Sequence, residues 1–301
     1  MSARLDWDTD GRAWPNREHS RFLRAGGIRW HVQEMGQGPR LLLLHGTAAS
    51  THSFRALAPL LAPHFSLLIP DLPGHAFTEM PPGGRLSLPV MRDLLRALLG
   101  ATGFAPEMAA GHSAGAAVLC RTALDAPEFR PKRIVSLNGA LLPFDGLTGR
   151  VAPGLARALY ANPIAPRVFA FLAGEESVKR LIGNMGSRID RDGVRQYAAL
   201  MGNPGHVAAA LGMMTHWDLD GLARDLSRLP VPLTLVTAAT DRAVPPATAA
   251  AVRKILPTAE VVALKGVGHL AHEEKPPLVA DALLDAARRD GLLAEAPPPG
   301  G

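Results

Sequence analysis

Residues 40–46 read RLLLLHG, four consecutive leucines bounded by the turn-forming GQGP before them and by His-Gly after them. The run is strand-length, and a strand with one wet face would alternate apolar with polar residues. Four leucines in succession therefore read as a strand buried on both faces. A water-soluble chain achieves that inside a mostly parallel sheet covered by helices on each side.

The rest of the chain keeps the rhythm that such a sheet requires. Ahead of the leucines, SRFLRAGGIRWHVQEMG reads as a hairpin turning at AGG. After them come a helix around SFRALAPLLA, a strand in FSLLIPD, a helix in PVMRDLLRALLGAT, a strand in EMAAGHS, a helix in AGAAVLCRTALD and a strand in RIVSLNG. The alternation then breaks. Residues 141–229 contain little that reads as strand and many short helical stretches interrupted by Pro and Gly, which predicts a helical cap inserted late in the sheet. Strand and helix alternate again in PLTLVTAATD, PPATAAAVRKIL, AEVVALKG and PPLVADALLDAARR. The expected organisation is an α/β core from residues 1–140 and 230–293, a cap over 141–229 and a flexible tail over 294–301.

Composition narrows the function classes. With 301 residues, 47% hydrophobic and 20% charged, the chain can bury a large core. No apolar run approaches the roughly 20 residues that span a bilayer, and MSARLDWDTDGRAWPN has no signal-peptide core, so a cytoplasmic protein is expected. Cys120, the single cysteine, has no internal disulfide partner and is expected to pack as a small hydrophobe. The net charge of +5 comes mainly from scattered arginines. Without a Lys/Arg stripe carrying interleaved aromatics, a zinc-finger spacing or a helix-turn-helix signature, it does not point to nucleic acid. It does allow weak attraction to an anionic membrane surface.

The chemistry is concentrated at GHSAG, residues 111–115. A serine at a sharp strand-to-helix turn needs small neighbours, supplied by Gly111, Ala114 and Gly115, and the turn presents Ser113 at the carboxyl edge of the sheet. A serine hydroxyl also needs a base, best supplied by His269 in LKGVGHLAHEE, with His272 in the same loop as its competitor. The orienting acid is best supplied by Asp241 at the end of PLTLVTAATD; Asp218 and Asp220 stand near the edge of the expected cap, and Asp71 in DLPGH is a weaker candidate. The chain order Ser, Asp, His is the one this architecture uses. The N–H groups of Thr47 and Ala114 are the expected oxyanion donors.

His45, His112, Phe169, Met185, Met213, Met214 and Trp217 are candidates for the wall of an apolar pocket, although cap residues of this kind also serve simply to seal a lid. His206 and His216 read as packed or solvated side chains rather than ligands. No HExxH or Cys/His cluster calls for a metal, and GQG at 36–38 does not open a helix as a dinucleotide fingerprint would. No cofactor is required.

From the strand before HGTAAS, through DLPGH and GHSAG, to TAATDRAVPP and GVGHLAHEEKP, the sequence resembles the α/β-hydrolase fold family along nearly its whole length. More narrowly, LDWDTDGRAWPNREHSRFLRAGGIRWHVQEMG joined to LLLLHGTAASTHSFR, DLPGHAFTEMP and GHSAGAAV resembles the magnesium-chelatase accessory proteins of bacteriochlorophyll synthesis. In the common DLPGHG form a glycine follows the histidine, whereas Ala76 stands here. The resemblance implies work near the insertion of magnesium into protoporphyrin, alongside magnesium chelatase or another pigment-pathway enzyme, in the cytoplasm or at the periphery of the photosynthetic membrane. It does not imply chelatase catalysis, because the chain lacks a nucleotide-binding loop. The leading expectation is a serine hydrolase of an apolar ester or related acyl bond. Its rivals are a non-catalytic tetrapyrrole-binding or chelatase-assisting factor, and a general carboxylesterase or carbon–carbon bond hydrolase.

Overall fold

Eight strands form one sheet: β1 (Ser20–Ala25), β2 (Ile28–Met35), β3 (Arg40–Leu44), β4 (Ser66–Pro70), β5 (Met108–His112), β6 (Arg133–Leu137), β7 (Leu233–Ala238) and β8 (Glu260–Leu264). Their spatial order is β1-β2-β4-β3-β5-β6-β7-β8. The first two strands run antiparallel, as does the β2–β4 pair, and all other neighbours are parallel. The computed structural model describes residues 4–143, 159, 162 and 164–295, so the start of the expected cap at 144–158 and most of the expected tail, 296–301, lie outside the described residues.

The leucine run shows why the sheet is covered twice. All four leucines of Leu41–Leu44 are fully buried. Because side chains alternate along a strand, Leu42 and Leu44 join one core cluster while Leu41 and Leu43 join the other. Helices α2 (Leu88–Thr102) and α3 (Ala114–Asp125) close the first face. The second is closed by α1 (Leu57–Leu61) and by the last helix, Pro276–Arg289. Cys120 lies in α3, fully buried, where loss of water pushes its thiol up to about 12.

Between β6 and β7 the described residues hold no strand but five α-helices, α4 (Ala165–Leu172), α5 (Glu175–Asn184), α6 (Arg191–Met201), α7 (Pro204–His216) and α8 (Leu219–Asp225), with a 3-10 turn at Leu226–Arg228. Three more follow β7: α9 (Ala247–Ile255), α10 (Ala271–Glu274) and α11 (Pro276–Arg289). The inserted helices sit on the carboxyl edge of the sheet through a tight backbone seam. Met185 O accepts from Arg242 N at 3.1 Å, Ser187 Oγ accepts from Leu270 N at 2.8 Å, and Glu274 bridges Gly268 N at 2.7 Å to Arg188 N at 3.0 Å. A Cβ on Gly268 would stand 2.1 Å from Gly186 O, so glycine is what lets the two backbones meet.

The segment ahead of the hairpin straps across the same edge. Trp7 and Trp14 meet Phe77 edge-on with ring centroids 4.9 and 4.8 Å away, and Trp14 Nε1 donates to Thr51 Oγ1 at 3.0 Å. Leu200 of α6 completes that cluster.

Candidate active site

Five parallel strands deliver the site from their carboxyl ends: β3 runs into His45–Ala48, β5 into Ser113, β6 into Asn138, β7 into the Asp241 loop and β8 into the His269 loop. Ser113 occupies the one-residue junction between β5 and α3 with φ 50° and ψ −116°, a conformation strained for any side-chain-bearing residue. The flanking glycines make the junction buildable. A Cβ at Gly111 would lie 2.5 Å from Ala116 N, and one at Gly115 would lie 2.5 Å from Leu44 O.

His269 and Asp241 are both buried and meet at 2.8 Å, Nδ1 to Oδ2. The other oxygen of Asp241 accepts from Ala243 N and Val244 N, each at 2.8 Å, which fixes the carboxylate in its turn. With Asp241 ionised, His269 Nδ1 is the donor and a neutral ring carries its lone pair on Nε2. No hydrogen bond joins Ser113 to His269 among the described residues.

The imidazole is held from behind as well. His269 O accepts from His112 Nε2 at 3.0 Å and from Asn138 Nδ2 at 2.8 Å, and the same amide reaches Gly268 O at 3.0 Å. The His112 and His269 rings stand 4.7 Å apart. Neither clamp was an expected role. The signal for Asn138 was present in the sequence, since an Asn-Gly pair directly after a strand suits the positive φ of 46° found there. Asn138→Gly removes both amide bonds without adding backbone strain. At about 1 kcal/mol for each bond, kcat is expected to fall roughly tenfold or more with KM little changed, as steady-state kinetics on a model ester would show.

The loop bearing Thr47 is fixed by two neutral histidines. His45 Nε2 accepts from Leu72 N at 2.8 Å, so its Nδ1–H donates to Gly46 O, also at 2.8 Å. His206 of α7 accepts at Nδ1 from Ala76 N at 3.0 Å, so its Nε2–H donates to Ala48 O at 3.1 Å. Burial holds His45 below the usual imidazole range and takes His206 to about 4. Ala48 carries φ 62°, a strained turn that this bond supports. The N–H groups of Thr47 and Ala114 donate to no acceptor among the described residues, while Thr47 Oγ1 lies 3.4 Å from Met213 Sδ.

The other candidate base and acids have different surroundings. His272 has no hydrogen-bond partner on either ring nitrogen, packs on Phe54 and His112, and is driven by burial to about 3. Asp218 caps α8 by accepting from Asp220 N and Gly221 N. Asp71 is committed to His31 at 2.7 Å and Thr51 N at 2.7 Å; burial alone would raise its carboxyl, but the His31 charge and hydrogen bond bring it to about 2.

Of the expected pocket residues, Met213 is fully buried against the Thr47 loop, and Trp217 packs at the rim of the core. Met185 packs within the α5–α6 cluster that includes Leu270. His45 and His112 are buried, each with a ring nitrogen bonded to backbone. Phe169 of α4 and Met214 of α7 differ from expectation: they are 44% and 46% exposed, Phe169 because α4 turns its small residues Ala165 and Ala170 inward.

A second link between insertion and site was not anticipated. Arg55 hydrogen-bonds the buried Glu273 of the His269 loop and reaches Asp190 at 2.7 Å, and Tyr197 of α6 donates to Glu273 at 2.9 Å. Burial pushes the Glu273 carboxyl up to about 7 against the pull of Arg55. Among the described residues no group of three or more His, Cys, Asp or Glu side chains could hold a metal, and His206 and His216 do not converge on one.

Residues 39–276 match the family described as the alpha/beta hydrolase fold. The magnesium-chelatase 30 kDa subunit of Rhodobacter capsulatus is 38% identical over 275 residues, 90% of this chain and 95% of that protein. The pimeloyl-[acyl-carrier protein] methyl ester esterase of Aeromonas salmonicida is 29% identical over 79% of this chain and 91% of that one. An alpha/beta hydrolase fold protein from Burkholderia ambifaria superposes with a TM-score of 0.74 at 23% identity, covering 95% of this chain and 100% of its own, a likeness of fold alone.

Proposed function

Since the chain belongs to the α/β-hydrolase fold family, we propose that it acts as a serine hydrolase on an ester or related acyl bond of an apolar substrate in magnesium-porphyrin and bacteriochlorophyll synthesis. The observation that carries this reading is the buried 2.8 Å contact between His269 and Asp241, set behind a strained serine elbow. A serine held at φ 50° without a chemical use would be a cost with no return.

In this mechanism His269 Nε2 takes the hydroxyl proton as Ser113 Oγ attacks the carbonyl carbon. The oxyanion forms between the N–H groups of Thr47 and Ala114. Asp241 stabilises the imidazolium without receiving its proton. The imidazolium then protonates the leaving alkoxide, and water, deprotonated by the same ring, releases the acid and restores Ser113. Met213 against the Thr47 loop favours an apolar substrate over a sugar or phosphate. The esterase of Aeromonas salmonicida supports the ester class, and the chelatase subunit supports the pathway.

The 38% identity to a magnesium-chelatase subunit favours a second reading, a tetrapyrrole-binding assistant of the chelatase or of a neighbouring pigment enzyme, in which the triad is vestigial. Wild type and Ser113→Ala, tested with a fluorophosphonate and with magnesium-protoporphyrin and short-chain esters, separate the two. Labelling and porphyrin-ester turnover that disappear in the variant are the expected result. Tight porphyrin binding by both proteins, with no labelling of either, would move the accessory reading ahead.

A further inference from the structure

The α4 helix has its amphipathic sense reversed. Ala165, Pro166 and Ala170 face the protein, while Ile164, Val168, Phe171 and Leu172, spaced i, i+4, i+7 and i+8 along one stripe, face solvent. Phe171 is 89% exposed and Leu172 65%. Met214 of α7, the helix against which α4 packs, adds to this surface, and Leu181 of α5 is exposed as well. Seven of the nine large exposed hydrophobic side chains among the described residues belong to this insertion, whereas Leu60 and Val261 stand alone elsewhere. Scattered exposed apolar residues are ordinary; a contiguous stripe marks a contact surface.

The charges beside the stripe say what covers it. Arg167, Lys179 and Arg180 are exposed and form no ion pair among the described residues. Of the two acidic side chains that open α5, Glu175 is engaged at 3.9 Å by Arg191 and 3.6 Å by Arg195, while Glu176 is exposed without an ion pair among the described residues, so the free cations outnumber the free carboxylate three to one. Apolar side chains flanked by uncommitted cations complement an anionic lipid surface, with the stripe at the headgroup–acyl boundary and the cations on phosphates. A second copy is a poor occupant. A twofold interface would bring identical patches together and set these same cations against one another. No described helix is long and apolar enough to cross a membrane, so the contact is a surface one.

We propose that the insertion docks this chain on anionic bilayers through the α4 stripe, with Arg167, Lys179 and Arg180 as its electrostatic rim. Docking does not depend on Ser113 chemistry, and Ser113→Ala should bind vesicles as wild type does.

Co-sedimentation with vesicles of phosphatidylcholine and phosphatidylglycerol, against phosphatidylcholine alone, tests it. The full chain should partition onto the anionic vesicles and be released by salt. Phe171→Ser with Leu172→Ser should weaken partitioning at least about tenfold. Arg167→Glu with Lys179→Glu and Arg180→Glu should weaken it about a hundredfold on anionic vesicles only. All these positions are exposed, and unchanged thermal unfolding will show that the variants are folded. Absence of wild-type binding at low salt overturns the proposal. So does binding that Phe171→Ser with Leu172→Ser leaves intact, or a concentration-dependent dimer abolished by that double substitution without any vesicle binding.

Discussion

Asp241→Asn should leave the protein folded and lower kcat by about four orders of magnitude toward any ester that the wild type cleaves. The substitution keeps an oxygen for Ala243 N and Val244 N, so the turn that carries the residue survives. What changes is the group facing His269 Nδ1, where an amide N–H2 replaces the carboxylate oxygen now 2.8 Å away. A donor there forces the imidazole into the tautomer protonated on Nε2, which cannot accept the Ser113 proton. Full-length kinetics and fluorophosphonate labelling rates read the effect together. A variant that retained wild-type labelling would remove Asp241 from the mechanism and leave its contact with His269 as packing.

Acidification should unfold the protein cooperatively at an unusually mild pH. Six histidines, His45, His52, His75, His112, His206 and His272, are buried and held below their ordinary value of 6.5, chiefly by loss of water. Below that value the unfolded chain binds protons that the folded chain refuses. The stability they contribute is therefore present above pH 6.5 and is lost as pH falls toward the folded values, about 4 for His206 and about 3 for His272. Glu273 works the other way. Its carboxyl is raised from 4.5 to about 7, so it adds stability as pH falls through that window, one proton against six.

Six imidazoles that refuse protons outweigh one carboxyl that takes one, so stability should decline as pH falls below 6.5, and the unfolding midpoint should lie above the folded values of about 4 for His206 and about 3 for His272. Circular dichroism and tryptophan fluorescence across an acid titration measure it. A native signal that persisted to pH 3 would show that these rings are not held neutral by the fold.

Much of this was legible in local pattern. The leucine run at 41–44 specified a strand buried on both faces because side-chain direction alternates with period two, and the two core clusters divide its residues in that way. The placement of Ser113, Asp241 and His269 at strand ends followed from the order of strands and helices, since each parallel strand must return to the same edge of the sheet. Contacts between distant segments carry no such period. Nothing within GHSAG announces that His112 holds the carbonyl of His269, 157 positions away, or within HEEKP that Glu273 meets Arg55 and Tyr197.

The sequence determined the double-sided sheet, the serine elbow and the order of its partners, because these follow from periodicities and steric demands within a few residues. Tertiary structure alone decided that eight histidines lie buried, that the Trp7–Trp14 segment straps over Phe77, and that α4 turns its alanines inward and its large apolar stripe to solvent. Apolar spacing shows that a helix has two unlike faces. Which face is buried depends on the surface it meets, and α7 meets α4 with room only for the small one.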